Sequence, residues 1–381
     1  MNTRHPVLVV GAGLGGLTLA RVLHVHGIEA AVFDLETDRY ARTQGGMLDI
    51  HAENGQVALR HAGLTSGFHA LVHPGGESER VLDKRAVVHW EEADDGTGDR
   101  PEVDRGQLRD LLLDSLPEGT VRWGRQVTAA TPLGGGRHEV TFADGATLTT
   151  DLLIGADGAW SRIRRLVSDA WPAYTGISFV EADLLDADAR HPKEATVVGS
   201  GILFALADGK GILGHRTTSG KLHIYTAFRV PEGWLDTIDF TDIDASKAQV
   251  LAEFDDWDES LRALVANADG PLVPRRVNAL PVGHHWDRVP GVTLLGDAAH
   301  VMSPFAGEGA NLAMLDGALL GKAIAEHPGE TERALAVYED ALFPRSAAKA
   351  QESFEGLEDC FSENAVDRLV EIFSAAPPDN I

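Results

Sequence analysis

A glycine-dense turn follows directly on the apolar run Val7-Leu8-Val9-Val10: Gly11-Ala12-Gly13-Leu14-Gly15-Gly16-Leu17. Gly11, Gly13 and Gly16 have the spacing of one particular chemistry. Gly11 permits a tight strand-to-helix turn, Gly13 lets a diphosphate approach the backbone, and Gly16 lets helix and strand pack closely. The diphosphate is then held by the amides of the helix N-terminus. A second apolar run at 30–33 ends in Asp34. A carboxylate there accepts hydrogen bonds from a ribose 2′-hydroxyl and repels a 2′-phosphate. The turn therefore predicts NAD or FAD rather than NADP, and does not choose between the two. Two later stretches repeat the pattern of an apolar strand ending in glycine. One is Leu152-Leu153-Ile154-Gly155-Ala156-Asp157-Gly158. The other is Leu294-Leu295-Gly296-Asp297, followed by Pro304, Gly307 and the helix start Gly309-Ala310-Asn311. The amides of that helix start would stabilise an anion, such as the charge a reduced flavin carries at N1 and C2=O.

The remaining sequence must position these turns. Residues 6–35 read as a βαβ unit, and Gly45-Gly46, ahead of Met47-Leu48-Asp49, would let backbone pass close to a flat ligand. Residues 53–65 read as a helix ending at Gly63, and 73–100 as an inserted hairpin belonging to another layer. Residues 102–109 open a helix carrying Leu108, Leu111, Leu112 and Leu116, with Arg105 and Arg109 on one face. Arg105 is placed to reach a phosphate or a flavin edge, although its spacing suits a surface ion pair better. A meander occupies 121–150, and 161–167 starts a helix. Strand-like runs dominate 172–275, at 177–181, 201–206 and 222–230. One amphipathic helix follows, with Val250, Leu251, Phe254, Trp257, Leu261, Leu264 and Val265 at helical spacing. This predicts a second, mostly antiparallel domain with Trp257 in its core. A long helix is expected over 309–325 and another from 345, carrying Phe354, Leu357, Phe361 and Leu369.

Composition narrows the function. The chain has 381 residues, 44% hydrophobic and 24% charged, with a net charge of -25. Such an acidic balance argues against nucleic acid and against anionic membranes, which both need a basic face. Cys360 is the one cysteine, which excludes an internal disulfide, fits a reducing cytoplasm, and with the lack of a Cys/His cluster makes a metal site unexpected. No apolar run approaches the ~20 residues that span a bilayer. Met1-Asn2-Thr3-Arg4-His5-Pro6 leads straight into the first strand, leaving no room for a signal peptide.

Taken together, the three turns in this order resemble the single-component, FAD-dependent aromatic hydroxylases of the p-hydroxybenzoate hydroxylase type. Residues 33–51, 104–116, 254–259 and 296–312 are most similar to the tetracycline-inactivating flavin monooxygenases of the TetX type. The resemblance implies an α/β fold: a Rossmann-type FAD-binding domain, an antiparallel-sheet substrate domain and a C-terminal helix. It places the FAD-binding domain at 1–72, 100–171 and 275–345, the substrate domain at 73–99 and 172–274, and a bridging helix at 346–381. It implies that Gly11, Gly13, Gly16 and Leu17 hold the diphosphate and Asp34 the adenosine ribose. Leu35 stands where the family usually has an arginine. Gly46, Asp49 and Arg105 would line the phosphate and ribitol region, and Asp157 and Gly158 would serve FAD and NAD(P)H. Gly296 and Asp297 would hold the ribitol, with Pro304, Gly307, Gly309, Ala310 and Asn311 beside the isoalloxazine ring. His223, Asn311, Phe305 and Met314 are the substrate-contact candidates. The glutamine and arginine that accompany the histidine in the tetracycline enzymes have no match in 195–216.

The activity so implied is a monooxygenation. NADPH or NADH reduces FAD, the reduced flavin takes up O2 as a C4a-hydroperoxide, and oxygen passes to a polycyclic phenol or enol such as a tetracycline or aromatic polyketide. No second dinucleotide fingerprint is present, so the nicotinamide would dock transiently. The expected partner is the small-molecule substrate alone, and the expected state a monomer. Baeyer–Villiger insertion, flavin-dependent oxidation and a non-catalytic drug-binding role are the alternatives. An NAD-dependent dehydrogenase leaves Gly296-Asp297 unexplained. A flavin halogenase would need a Trp-x-Trp pair, which the tryptophans at 90, 123, 160, 171, 234, 257 and 286 do not form.

Overall fold

Residues 7–10 are buried on both faces of a sheet, as a continuous apolar run demands. The computed structural model describes residues 4–42 and 45–375. Its two compact units are interleaved along the chain. One comprises the segment ending at Val72, Arg105–Ala173 and Asn278–Ser353; the other comprises His73–Asp104, Tyr174–Val277 and the segment from Phe354 onward.

The first unit is built on a seven-stranded sheet. The strand Arg4–Val10 pairs in parallel with Ala31–Phe33 on one side and with Thr147–Gly155 on the other. Thr147–Gly155 changes partner along its length. Its first half runs antiparallel to Arg137–Phe142, and its last three residues pair in parallel with Val292–Leu294. Helices Leu14–Val25 and Glu308–Glu326 pack against each other at backbone contact. A Cβ on Gly317 would meet the Gly15 carbonyl and, at 2.9 Å, the Leu19 amide. Only glycine allows two helices to approach this closely.

The second unit holds another seven-stranded sheet, in the order Asp269–Ala279, Ala173–Leu184, Leu222–Arg229, Lys210–Arg216, Ile202–Ala207, Glu79–Leu82, Val88–Glu92. Leu222, Ile224 and Phe228 point from one face into a core shared with Phe254, Trp257, Leu261, Leu264 and Val265. Trp257 stacks edge-on against Phe254 at 4.9 Å, so it is the core residue expected. The single helix expected over 250–265 is two, Ile243–Ala252 and Glu259–Ala266. The break has a local cause: Asp258 caps the second helix by accepting from the Ser260 amide.

Four further expectations are corrected. Residues 102–104 form a short strand, and the helix begins at Arg105. Residues 161–167 give only the 3-10 turn Ile163–Leu166. The helix expected from 345 begins at Thr331 and runs to Cys360, with a separate helix Ala365–Ser374 after it. Leu357, Phe361 and Leu369 are buried there, but Phe354 is 53% exposed.

Candidate functional site

The sheet register brings the three turns to one edge. Val10 pairs with both Phe33 and Gly155, and Gly155 pairs with Leu294. Four parallel strands therefore end level, and Gly11, Asp34, Asp157 and Gly296 all lie just beyond them. Open α/β sheets bind their ligands at this carboxyl edge.

At the first turn Gly11 has φ +109°, and a Cβ there would run into the Ala156 carbonyl. Gly16 is equally crowded, against the Gly11 carbonyl. Gly13 differs, since nothing lies within 4 Å of the position a Cβ would take. It is the N-cap of the helix Leu14–Val25, which has neither a capping side chain nor an acid in its first turn. Those free amides are suited to a diphosphate. Leu17 is fully buried, and its amide is spent on the Gly13 carbonyl. Its side chain packs in the core of this unit. Asp34 accepts from the amides of Ala12, at 2.6 Å, and Glu36, at 2.8 Å. This fixes the carboxylate beside the glycine turn while leaving acceptor capacity for a ribose.

Arg105 and Arg109 divide differently from their spacing. Arg109 is the buried one, bonded to the Ala12 carbonyl, to the Arg39 carbonyl and to Glu36. It braces the glycine turn from behind. Arg105 is exposed at the helix start, and its amide donates to the Gly46 carbonyl at 3.2 Å.

Asp157 holds its own turn, accepting from Ser161 Oγ at 2.5 Å and the Arg162 amide at 2.7 Å. Burial raises its pKa, against the pull of those hydrogen bonds. The neighbouring Arg164, 1% exposed, donates to the carbonyls of Ala159, Asp297 and Ala298. It staples the second turn to the third, a role that the sequence does not reveal. Asp297 stands out in the third turn. The residues either side of it are buried, while Asp297 is exposed. Among the described residues no hydrogen bond or ion pair engages its side chain.

Beyond it, Gly307 caps the helix Glu308–Glu326 in the left-handed region, with Gly309 and Ala310 in the first turn. Pro304 and Phe305 form the short 3-10 turn ahead of it. Asn311 is fully buried: its Oδ1 accepts from the His51 amide at 2.9 Å, and its Nδ2 donates to the Asp49 and Gly307 carbonyls. Met314 is 0% exposed. Asn311 ties the helix start to the segment around Asp49. The Glu308 carboxylate, also buried, receives Lys349 Nζ at 2.7 Å and Asn54 Nδ2 at 2.8 Å. Burial works to raise its pKa, but His51 and Lys349 bring it below the ordinary carboxylate value. His51, Glu53 and Glu308 lie close enough to share a cation, yet Lys349 already supplies Glu308 with its positive charge.

Deeper in the same unit, Asp316 accepts from His300 Nε2 at 2.6 Å, Arg345 Nη2 at 2.9 Å and the Gly296 amide at 3.0 Å. It anchors the third turn to the helix beneath it. Burial acts to lower the His300 pKa, but Asp316 outweighs it and the net shift is upward. A raised histidine pKa contributes stability that is fully present below the unfolded value, about 6.5, and lost as pH rises through the folded value. Thermal unfolding across neutral to alkaline pH should show the wild-type melting temperature falling and a flatter profile for His300→Gln. Parallel profiles would contradict the assignment.

In the second unit, His223 lies on the sheet face opposite the core, in register with Asp183 and His215. Phe179 and Tyr225 share that face, their rings 5.6 Å apart.

The comparisons agree with this geometry. Residues 4–353 match the model of a family described as FAD binding domain. The monooxygenase AsqM of Emericella nidulans is 29% identical, over 97% of this chain and 98% of that protein. Klebsiella pneumoniae HpxO, solved with FAD and uric acid, superposes with a TM-score of 0.80 at 23% identity, over 97% of this chain and 91% of that one. The tetracycline destructase Tet(51) does so with a TM-score of 0.72 at 21% identity, over 98% and 96%. The architecture is thus the α/β one expected, and no described helix is long and apolar enough to cross a membrane. With a dinucleotide edge built from three turns and a family match over almost its whole length, the chain belongs to the FAD-binding domain family as an oxidoreductase of the FAD-dependent monooxygenase kind.

Proposed function

We propose that the chain uses NADPH or NADH and O2 to insert one oxygen atom into a polycyclic phenol or enol, an aromatic polyketide or a tetracycline among the substrates to try. The observation that carries the cofactor half of this reading is Asp297: an exposed, unengaged carboxylate set among buried residues at the carboxyl edge. Hydroxyl groups of a ribitol chain are suited to that acceptor. The amides at the Gly13 helix start would hold the diphosphate, and Asp34 the adenosine ribose. The amides at 309–311 would face the pyrimidine edge of the ring. Arg105, Gly46, Asp49, Gly158, Pro304 and Gly307 would form the surrounding wall. Asp157 would act through its turn. Bound FAD supplies the oxygen activation. The chain's own residues bind it, orient it, exclude water, and place positive helix ends where charge develops. The substrate half rests on the names of the relatives, with His223 and Phe305 as substrate contacts to try.

Asp297→Ala should weaken FAD binding by about tenfold, the worth of a lost hydrogen bond to a charged group. Titration of apoprotein with FAD, followed by quenching of flavin fluorescence, measures this. Unchanged affinity would remove Asp297 from the site.

A further inference from the structure

Within the first unit, a serine, a histidine and a backbone carbonyl form one chain of hydrogen bonds. Ser168 Oγ lies 2.9 Å from His284 Nε2, and His284 Nδ1 lies 2.6 Å from the Ala299 carbonyl oxygen. The Ala170 amide donates to Ser168 Oγ at 3.1 Å. Both side chains are half-buried. Trp171 directly follows Ala170, and it pairs with Trp160 at 5.5 Å between ring centres. Both tryptophans are half-exposed, and the Arg165 guanidinium lies 5.0 Å from the Trp171 ring centre.

The Ala299 carbonyl sets the direction of each bond. A carbonyl oxygen only accepts, so the His284 proton sits on Nδ1 and the lone pair on Nε2. Ser168 is then the donor, and its O–H points at Nε2. The serine oxygen keeps two acceptor sites, of which the Ala170 amide fills one. Among the described residues nothing engages the other. Burial lowers the His284 pKa; the bond to Ala299 acts against it, and Arg164, His285 and His300 lower it further. The imidazole is therefore neutral at pH 7. A serine that merely joined two loops would need no particular direction in its hydrogen bond. Here a hydroxyl, a neutral base and a group that orients the base stand in the order that activates a nucleophile.

We propose that Ser168 and His284 form a second reactive centre of this chain, a nucleophile and its general base, which takes the acyl group of an aryl ester. This goes beyond the oxygenase reading and does not depend on it. Ser168 Oγ forms a bond to the carbonyl carbon while the bond from that carbon to the phenol oxygen breaks. The hydroxyl proton passes to His284 Nε2 and from there to the leaving phenolate. Water then attacks the acyl-serine, gives its proton to Nε2, and releases the carboxylic acid as Ser168 is restored. Nothing is oxidised or reduced. Phenolate is a weaker base than an alkoxide, so an aryl ester asks less of the site than an alkyl ester does. The tryptophan pair beside Ala170 offers its ring a flat apolar surface.

The test uses the FAD-loaded protein without NADPH, so the oxygenase reading takes no part in it. Wild-type protein is treated with 4-nitrophenyl acetate and, separately, with a fluorophosphonate, and the modified residue is mapped by peptide mass. Both reagents should mark Ser168, and nitrophenol should be released in a burst followed by steady turnover. Modification elsewhere, or none, would overturn the proposal, and this readout needs no variant. Ser168→Ala and His284→Gln should each slow turnover by about a hundredfold, the lower end of what a general base contributes, with flavin content and melting temperature recorded as controls of folding. An unchanged rate in either folded variant would overturn the proposal. Because His284 acts in its neutral form with a lowered pKa, the wild-type rate should fall only below about pH 6.5, the ordinary histidine value. A rate that instead climbs steadily through alkaline pH is that of hydroxide or lysine chemistry and would contradict the dyad.

Discussion

Gly13→Ala is expected to give a folded protein that no longer retains FAD. The position has φ -78° and open space where a Cβ would go, so alanine costs the apoprotein nothing in strain or contact. The open space is where a diphosphate would approach the helix amides. Filling it costs binding about 1–3 kcal/mol, by analogy with an overpacked core, or roughly fivefold to more than a hundredfold in affinity. Gly11→Ala is the contrast: its Cβ would collide with the Ala156 carbonyl at a φ of +109°, so fold and cofactor should fail together. FAD affinity and apoprotein melting temperature, measured on both variants, separate the cases. A Gly13→Ala protein that purifies with full flavin would place the diphosphate elsewhere.

The largest stability effect is expected at Asp316. Its fully buried carboxylate is the shared partner of the buried His300, of the partly exposed Arg345 and of the Gly296 amide. Asp316→Ala leaves the buried His300 and the partly exposed Arg345 without it, a loss of about 3 kcal/mol, the lower end for broken buried ion pairs. The effect should reach the site, because the Gly296 amide loses the bond that sets the turn carrying Asp297. Chemical denaturation of the apoprotein should show the drop, and FAD affinity should fall with it. A loss below about 1 kcal/mol, the level of an exposed pair, would show that the cluster contributes little.

These two residues mark what the sequence makes legible. The glycine turn is readable because Gly11, Gly13 and Gly16 encode local geometry, and local geometry has a spacing. Strands at 7–10, 152–155 and 292–294 are readable as apolar runs, and their parallel order follows from the turns that end them. Asp316, His300 and Arg345 are not readable, because the sheet and helix packing that joins them is long-range. Arg164 hides for the same reason. Its three carbonyl partners come from two turns far apart in the chain. Asp183 and His223 meet only through the register of two antiparallel strands. Leu17, Asn311 and Met314 stand out in the sequence for the turns they flank. Each stands beside a functional turn, yet each side chain points into packing or into the backbone. The strand Lys210–Arg216 is absent from the sequence reading because Gly211 and Gly214 interrupt its apolar pattern, while in the sheet they sit against Leu206 and Val198.

The central claim is that the carboxyl edge of the first unit holds FAD and that the flavin-loaded chain is an oxygenase. It is tested most directly by incubating the purified protein with NADPH, O2 and a panel of polycyclic phenols and enols, tetracyclines included. NADPH consumption and product mass are followed together. The account predicts a yellow protein, ligand-stimulated NADPH consumption, and at least one product heavier by one oxygen atom. A colourless protein that takes up no FAD would contradict it, as would a flavoprotein whose NADPH consumption stays at its basal rate with every member of the panel.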